Sequence, residues 1–388
     1  MTEAAAPAST AARWTRRRQW WRDPQVWRLA SGIVLFVFAL THFLNHALGH
    51  ISLEAMEAVQ TVRSELWRSW PGTILLYGAA AVHIALVLWK LVRRRTLRMA
   101  PWEAAQIVLG LAIPLLIAGH IASTRLHSSL NGGDDAYHVV LRSLWPDAAL
   151  DQTLLILIVW LHSMIGFHFW LRLRPWYAAW SPLLLALAVL VPTVAITGWI
   201  EAAREAELAF PGPPIPPELA EPRALLIWRT KEGVWAAFAL LLLAIAAVRL
   251  GGRWSRGPTV IYPGGRRVRA TPGATLLEIS RAAGVPHASV CGGRGRCTTC
   301  RVLVLEGADR LPLPNATEAA ALGRIHAPDA VRLACQVRPD HSLTVRPLIP
   351  FREATAAAGR DAERWGVERR ITIMFADLRG FTSLAERL

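Results

Sequence analysis

Six predominantly apolar stretches, at residues 27–49, 72–92, 104–123, 150–171, 181–200 and 234–250, dominate the first two thirds of the chain. At about 1.5 Å of rise per residue, each suits a hydrocarbon layer of about 30 Å, so the pattern predicts six transmembrane helices. The first is long, carries histidines and has no small-residue cleavage site, which makes it an anchor and not a leader. Between the fifth and sixth stretches, residues 201–233 hold the run P-G-P-P-I-P-P, which predicts a stiff, extended connection.

After residue 250 the pattern changes. Short alternating runs at 259–262 and 266–270 flank Pro263-Gly264-Gly265 and predict a hairpin; a short helix follows at 275–283, with strands at 301–305 and 342–346. An Ala-, Arg- and Glu-rich segment at 351–365 predicts a linker helix, and 370–376 a buried strand entering a turn. The expected organisation is an N-terminal segment (1–26), a six-span membrane domain (27–250), a small α+β domain (258–347), a linker (351–367) and a final segment (368–388).

Composition supports a membrane protein: 53% of the 388 residues are hydrophobic and 18 are tryptophan. The net charge of +15 would suit nucleic acid, but it clusters beside the apolar stretches, which argues against that partner and for membrane lipid. Arg16, Arg17, Arg18, Arg22 and Arg28 precede the first stretch, and Lys90, Arg93, Arg94, Arg95 and Arg98 separate the second from the third. Arg172 and Arg174 follow the fourth stretch, and Arg249, Arg253 and Arg256 the sixth, whereas the alternate connections are acidic. The positive-inside rule then places both termini in the cytoplasm of a bacterial-type inner membrane.

All four cysteines fall in the α+β segment: Cys291, Cys297 and Cys300 in C-G-G-R-G-R-C-T-T-C, and Cys335 farther on. Three thiolates from one short loop and a fourth from elsewhere suit two irons bridged in a 2Fe-2S cluster. Gly292, Gly293 and Gly295 permit the tight wrapping, and Arg294 and Arg296 would offset the cluster's negative charge. Zinc usually takes two C-x2-C pairs, and only one is present; zinc or disulfides are the alternatives. Residues 258–347 resemble the 2Fe-2S ferredoxins of β-grasp fold, and the five-residue first gap is similar to the adrenodoxin-like branch.

Nine of the 12 histidines belong to the membrane portion, so the apolar stretches carry groups that are costly there unless used. His42 and His46 lie on the first stretch, His83 on the second, His120 on the third, His162 and His168 on the fourth. Neutral imidazole is an axial ligand for haem iron, and four helices each offering one suggest two b haems. By depth, His83 pairs with His162 near the middle and His42 with His120 toward the outer face, with His46 and His168 as alternates. One haem, or a bundle whose histidines only hydrogen-bond, are the competing readings. The spacing is similar to that of the dihaem cytochrome b subunits of succinate dehydrogenases and fumarate reductases, where the first ligand pairs with the third and the second with the fourth. That resemblance implies quinol as an electron partner.

The final residues include F-A-D-L-R-G-F-T-S-L-A-E. A carboxylate at a strand tip suits Mg2+ beside phosphates. The string resembles the opening of class III adenylate and guanylate cyclase domains, which implies that Asp377 binds Mg2+ or Mn2+, that the substrate is ATP or GTP, with ATP the leading choice, and that the protein is a homodimer. The remaining catalytic residues of that family would follow Leu388, so the chain is expected to be an inactive piece of a longer cyclase. The leading expectation is thus a multidomain, redox-sensing membrane adenylate cyclase: a six-helix transmembrane bundle, a β-grasp ferredoxin-like α+β domain, and the truncated start of an α+β class III cyclase domain. The alternative is a membrane electron-transfer protein, a cytochrome b fused to a ferredoxin.

Overall fold

The computed structural model describes residues 23–94, 96, 99–254 and 257–349. The linker, the final segment with Asp377, and residues 1–22 lie outside the described residues.

Six helices are long and apolar enough to cross a membrane. Helix α1 (Pro24–Ala47) starts where the Asp23 carboxylate accepts the Gln25 N–H at 2.8 Å, with proline in the first turn. Helix α2 (Leu53–Arg68) is amphipathic and short, and α3 (Trp70–Val92) begins at the Ser69 cap. Helix α4 (Pro101–Ile121) widens through a π turn at Ala122–Leu126 into α5 (His127–Asn131), which Gly132 ends at a φ of 67°. Then come α6 (Tyr137–Leu144), α7 (Ala149–Leu171), α8 (Tyr177–Ala209) and α9 (Pro217–Trp254).

Small residues draw α1 and α8 together. A Cβ at Gly49 would stand 2.1 Å from the Gly198 carbonyl oxygen, and Ala195, Ala202, Ala203 and Ala206 are wholly buried. The outward faces carry Leu75, Leu185, Val189, Leu240 and Leu243 exposed, as a lipid-facing surface requires.

The second domain is a five-stranded mixed sheet of order β2-β1-β5-β3-β4, from β1 (Thr259–Tyr262), β2 (Arg266–Arg269), β3 (Arg301–Glu306), β4 (Val331–Leu333) and β5 (Leu343–Pro347). Strands β1 and β5 run parallel; the other pairs are antiparallel. Gly264 turns the hairpin at a φ of 77°. Helix α10 (Leu276–Ala282) crosses the sheet from a capping box made by Thr275 and Glu278, and α11 (Ala316–Gly323) covers the other end. Val260, Leu276, Val302, Leu333 and Val345 form the dry centre.

Two expectations change. The 201–233 connection is mostly helical, because its Ala, Glu and Arg residues extend α8 to Ala209 and Pro217 starts α9, leaving only the proline-rich run unwound. Helices α2, α6 and α11 and strand β4 join the expected elements, each with too little unbroken apolar sequence to stand out.

Candidate metal centres

The cysteine loop runs from the end of α10 to β3. Gly292, Gly293 and Gly295 take φ values of 66°, 81° and 67°, left-handed backbone that other residues adopt at a cost. This curls the loop so that the four free cysteines assemble as two close pairs, Cys291 with Cys297 and Cys300 with Cys335. The Cys297 sulfur accepts the Cys291 N–H at 3.2 Å and meets Thr299 Oγ1 at 3.0 Å; the Cys335 sulfur accepts from Gln336 Nε2 at 3.3 Å.

Within each pair one thiol is ready to ionise. A hydrogen bond from Cys297 holds Cys291 down to about 5, and the reciprocal bond pushes Cys297 up. Cys335 is lowered by Cys300, which is raised in turn. Four converging sulfurs, two in each pair, are the donor set a 2Fe-2S cluster needs, and binding the irons would displace the remaining thiol protons. Arg172, at the end of α7, and Arg296 both lie close enough to Cys291 to feel its charge.

Two supporting groups were invisible in the sequence. His287 is buried with Nδ1 at 2.9 Å from Ser280 Oγ and Nε2 at 3.3 Å from the Cys300 carbonyl; burial lowers its pKa to about 4, so it stays neutral. Glu318, 1% exposed, accepts both forks of Arg332 at 3.0 Å and the Leu333 N–H at 2.7 Å. That carboxylate ties α11 to β4 just ahead of Cys335.

In the bundle, the rings of His42 and His120 stand 6.0 Å apart between centroids. His83 and His162 are near enough to interact electrostatically. The fold thus sets the ring of the first histidine beside that of the third, and leaves the second within electrostatic range of the fourth. The second pair is nearer the ferredoxin domain than the middle: His83 faces the first turns of α1, and His162 the first turns of α4.

Hydrogen bonds at Nδ1 discriminate among the candidates. A histidine that is to bind a metal through Nε2 would carry its proton on Nδ1 and need an acceptor there. His83 Nδ1 lies 3.1 Å from the Arg28 carbonyl, His162 Nδ1 3.0 Å from the Gln106 carbonyl, and His120 Nδ1 3.0 Å from Gln152 Oε1. Those three fit. His42 meets Arg63 Nη1 at 3.2 Å, a donor, while the Nδ1 of neighbouring His46 is buried without a partner. His168 Nδ1 meets Tyr177 Oη at 2.8 Å in an exposed position.

The ferredoxin domain rests on the same end of the bundle. A Cβ at Gly292 would come within 2.1 Å of Trp102, and Arg294 stacks at 5.0 Å and 4.9 Å from the Trp102 and Phe169 ring centres. Arg281 pairs with Glu103 at 3.6 Å, and Thr317 hydrogen-bonds Asp23.

Residues 260–340 match the family of 2Fe-2S iron-sulfur cluster binding domains. The chain is 33% identical over 115 residues to a Na+-translocating NADH-quinone reductase subunit from Pseudomonas aeruginosa, covering 29% of this chain and 28% of that protein. It is 38% identical over 77 residues to the corresponding protein of Serratia proteamaculans, covering 20% of this chain and 18% of that one. An ISC-like [2Fe-2S] ferredoxin from Pseudomonas putida is 32% identical, covering 23% of this chain and 90% of its own, with a TM-score of 0.22. The chain therefore spans under a third of the length of these reductase subunits.

These similarities overturn the adenylate cyclase expectation: they run to an oxidoreductase, and the cyclase-like string lies outside the described residues. What stands is a membrane protein that carries a 2Fe-2S ferredoxin domain after six long apolar helices.

Proposed function

We propose that the chain is a membrane electron-transfer protein, a haem-binding bundle with its own ferredoxin, and that a quinone or quinol is the bundle's redox partner. The observation that carries this is the pair His83 and His162, both with acceptors on Nδ1, beneath the domain that holds the four cysteines. The name of the relatives, NADH-quinone reductase, supports the quinone link.

Cys291, Cys297, Cys300 and Cys335 would hold the cluster, and His83 with His162 one haem. His120 would hold a second with His42 or His46; His42 fits less well, because Arg63 donates toward its Nδ1 and so keeps the ring proton on Nε2, and the Nδ1 of His46 has no partner. When bound, these groups supply one-electron carriers at successive depths. The chain's part is to fix them: the Nδ1 acceptors set ring orientation and raise ligand basicity, and the apolar bundle excludes water. The arginines around the cysteine loop favour an anionic cluster. Charge distribution along the chain supports a cytoplasmic position for both termini.

An optical and EPR spectrum of the purified chain tests the reading. It should show reduced b-type bands together with a 2Fe-2S signal; a reduced sample with the iron–sulfur signal and no b-type bands would refute the haem assignment.

A further inference from the structure

The cysteine loop and the nearer histidine pair meet at one residue. Gln106, in the second turn of α4, is bonded on both sides. Its side-chain Oε1 accepts Arg294 Nη2 at 2.7 Å, and its backbone carbonyl accepts His162 Nδ1 at 3.0 Å. Arg294 in turn donates Nη1 to the Cys291 carbonyl at 3.0 Å. Three hydrogen bonds thus run from the backbone of one cluster ligand to the ring of one histidine.

The surroundings hold that path in place. Trp102 and Phe169 stack with centroids 3.6 Å apart, and the Arg294 guanidinium lies against both. This guanidinium is partly buried between the two rings, so its hydrogen bonds to Gln106 and to the Cys291 carbonyl are charge-assisted and poorly screened. Gly292 lets the loop touch Trp102 directly; a side chain there would overlap the ring. Glu103, one residue from Trp102, accepts Arg94 at 2.7 Å and pairs with Arg281 of α10, adding a second fastening to the same face.

We propose that Arg294 and Gln106 form a docking joint that seats the cysteine loop on the bundle beside His162, so that the ferredoxin domain is a fixed partner of the nearer metal centre and not a shuttle. Both are positioning residues: neither supplies a metal ligand. The joint's role toward His162 rests on the haem reading above, whereas the joint itself does not.

The test is hydrogen exchange on the full chain in lipid discs, with EPR and optical spectra on the same samples. Gln106→Leu and Arg294→Gln should each lower protection of the amides at 290–297 by about tenfold or more, with cluster and haem signals retained. Gln106→Glu keeps an acceptor and should stay near wild type, as should Arg267→Gln on the exposed edge strand. Unchanged protection in Gln106→Leu and Arg294→Gln would overturn the joint. Lost protection in a chain without b-type bands would leave the joint standing and remove its haem partner.

Discussion

The ferredoxin domain and the membrane bundle gather metal-binding groups in opposite ways. In the first, three of four cysteines come from one loop, whose left-handed glycines do the folding, and only Cys335 arrives from elsewhere. In the second, His42, His83, His120 and His162 each come from a different helix, and the proposed haem sites would exist only after four helices pack. A local site survives as a sequence motif. A site assembled across helices leaves spacing alone, and its quality is decided by the acceptors behind each ring, such as Gln106 and Gln152. The contrast predicts how each site should fail.

The largest effect should follow loss of a thiolate. Cys297→Ser should abolish the EPR signal of the reduced cluster, because two irons cannot keep four ligands from three cysteines. The b-type bands should survive, since no histidine depends on the loop for its place in a helix. Loss of both signals would show that the two regions fold as one unit and break the comparison.

Next in size is the bundle's own test. On the proposed two-haem reading, His162→Ala should remove about half of the bound haem, because one of the two histidine pairs loses a member, while His168→Ala should leave the content unchanged. Haem per chain by pyridine haemochrome distinguishes them. The assignment fails if His168→Ala, and not His162→Ala, lowers the ratio.

A third prediction concerns scaffold, not ligand. Glu318 is buried with Arg332 and also accepts a backbone N–H. Glu318→Ala strands the guanidinium in the interior and should destabilise the ferredoxin domain by about 3–5 kcal/mol. Thr275→Ala, which removes only the cap of α10, should cost about 1 kcal/mol. Denaturant-driven loss of cluster absorbance measures both, and equal midpoint shifts would contradict the ranking.

The six spans were legible because lipid demands unbroken apolar helices, and nothing in tertiary packing can rewrite that pattern. The cysteine motif was legible for the local reason just given. Glu318, His287 and Gln106 were not: a carboxylate, an imidazole and an amide each look like surface residues until the fold buries a partner against them. The choice between His42 and His46 was equally hidden, since one helical turn separates them and only Arg63 and the unpartnered Nδ1 of His46 tell them apart. The cyclase expectation failed for a different reason. It transferred the function of a short string to a chain whose matched domain lies before it.

The smallest effects should come from glycines, and here the two regions differ most finely. In the cysteine loop glycine is needed for backbone angle; in the bundle it is needed for room. A Cβ at Gly110 would stand 2.8 Å from His162 Cε1 and 3.1 Å from Nδ1, whereas one at Gly32 would stand 3.2 Å and 3.4 Å from the same atoms of His83. Both sit in α-helices, where alanine is the better former by about 1 kcal/mol, so neither substitution should unfold the bundle. The cost falls on the ring instead. Gly110→Ala must shift the His162 ring relative to the Gln106 carbonyl and, on the proposed haem reading, should move the midpoint potential of the nearer haem. Gly32→Ala asks His83 to yield only a few tenths of an ångström and should move it less. Redox titration of the b-type bands ranks the two, and a larger shift from Gly32→Ala would mean that His83, not His162, is the more tightly held ligand.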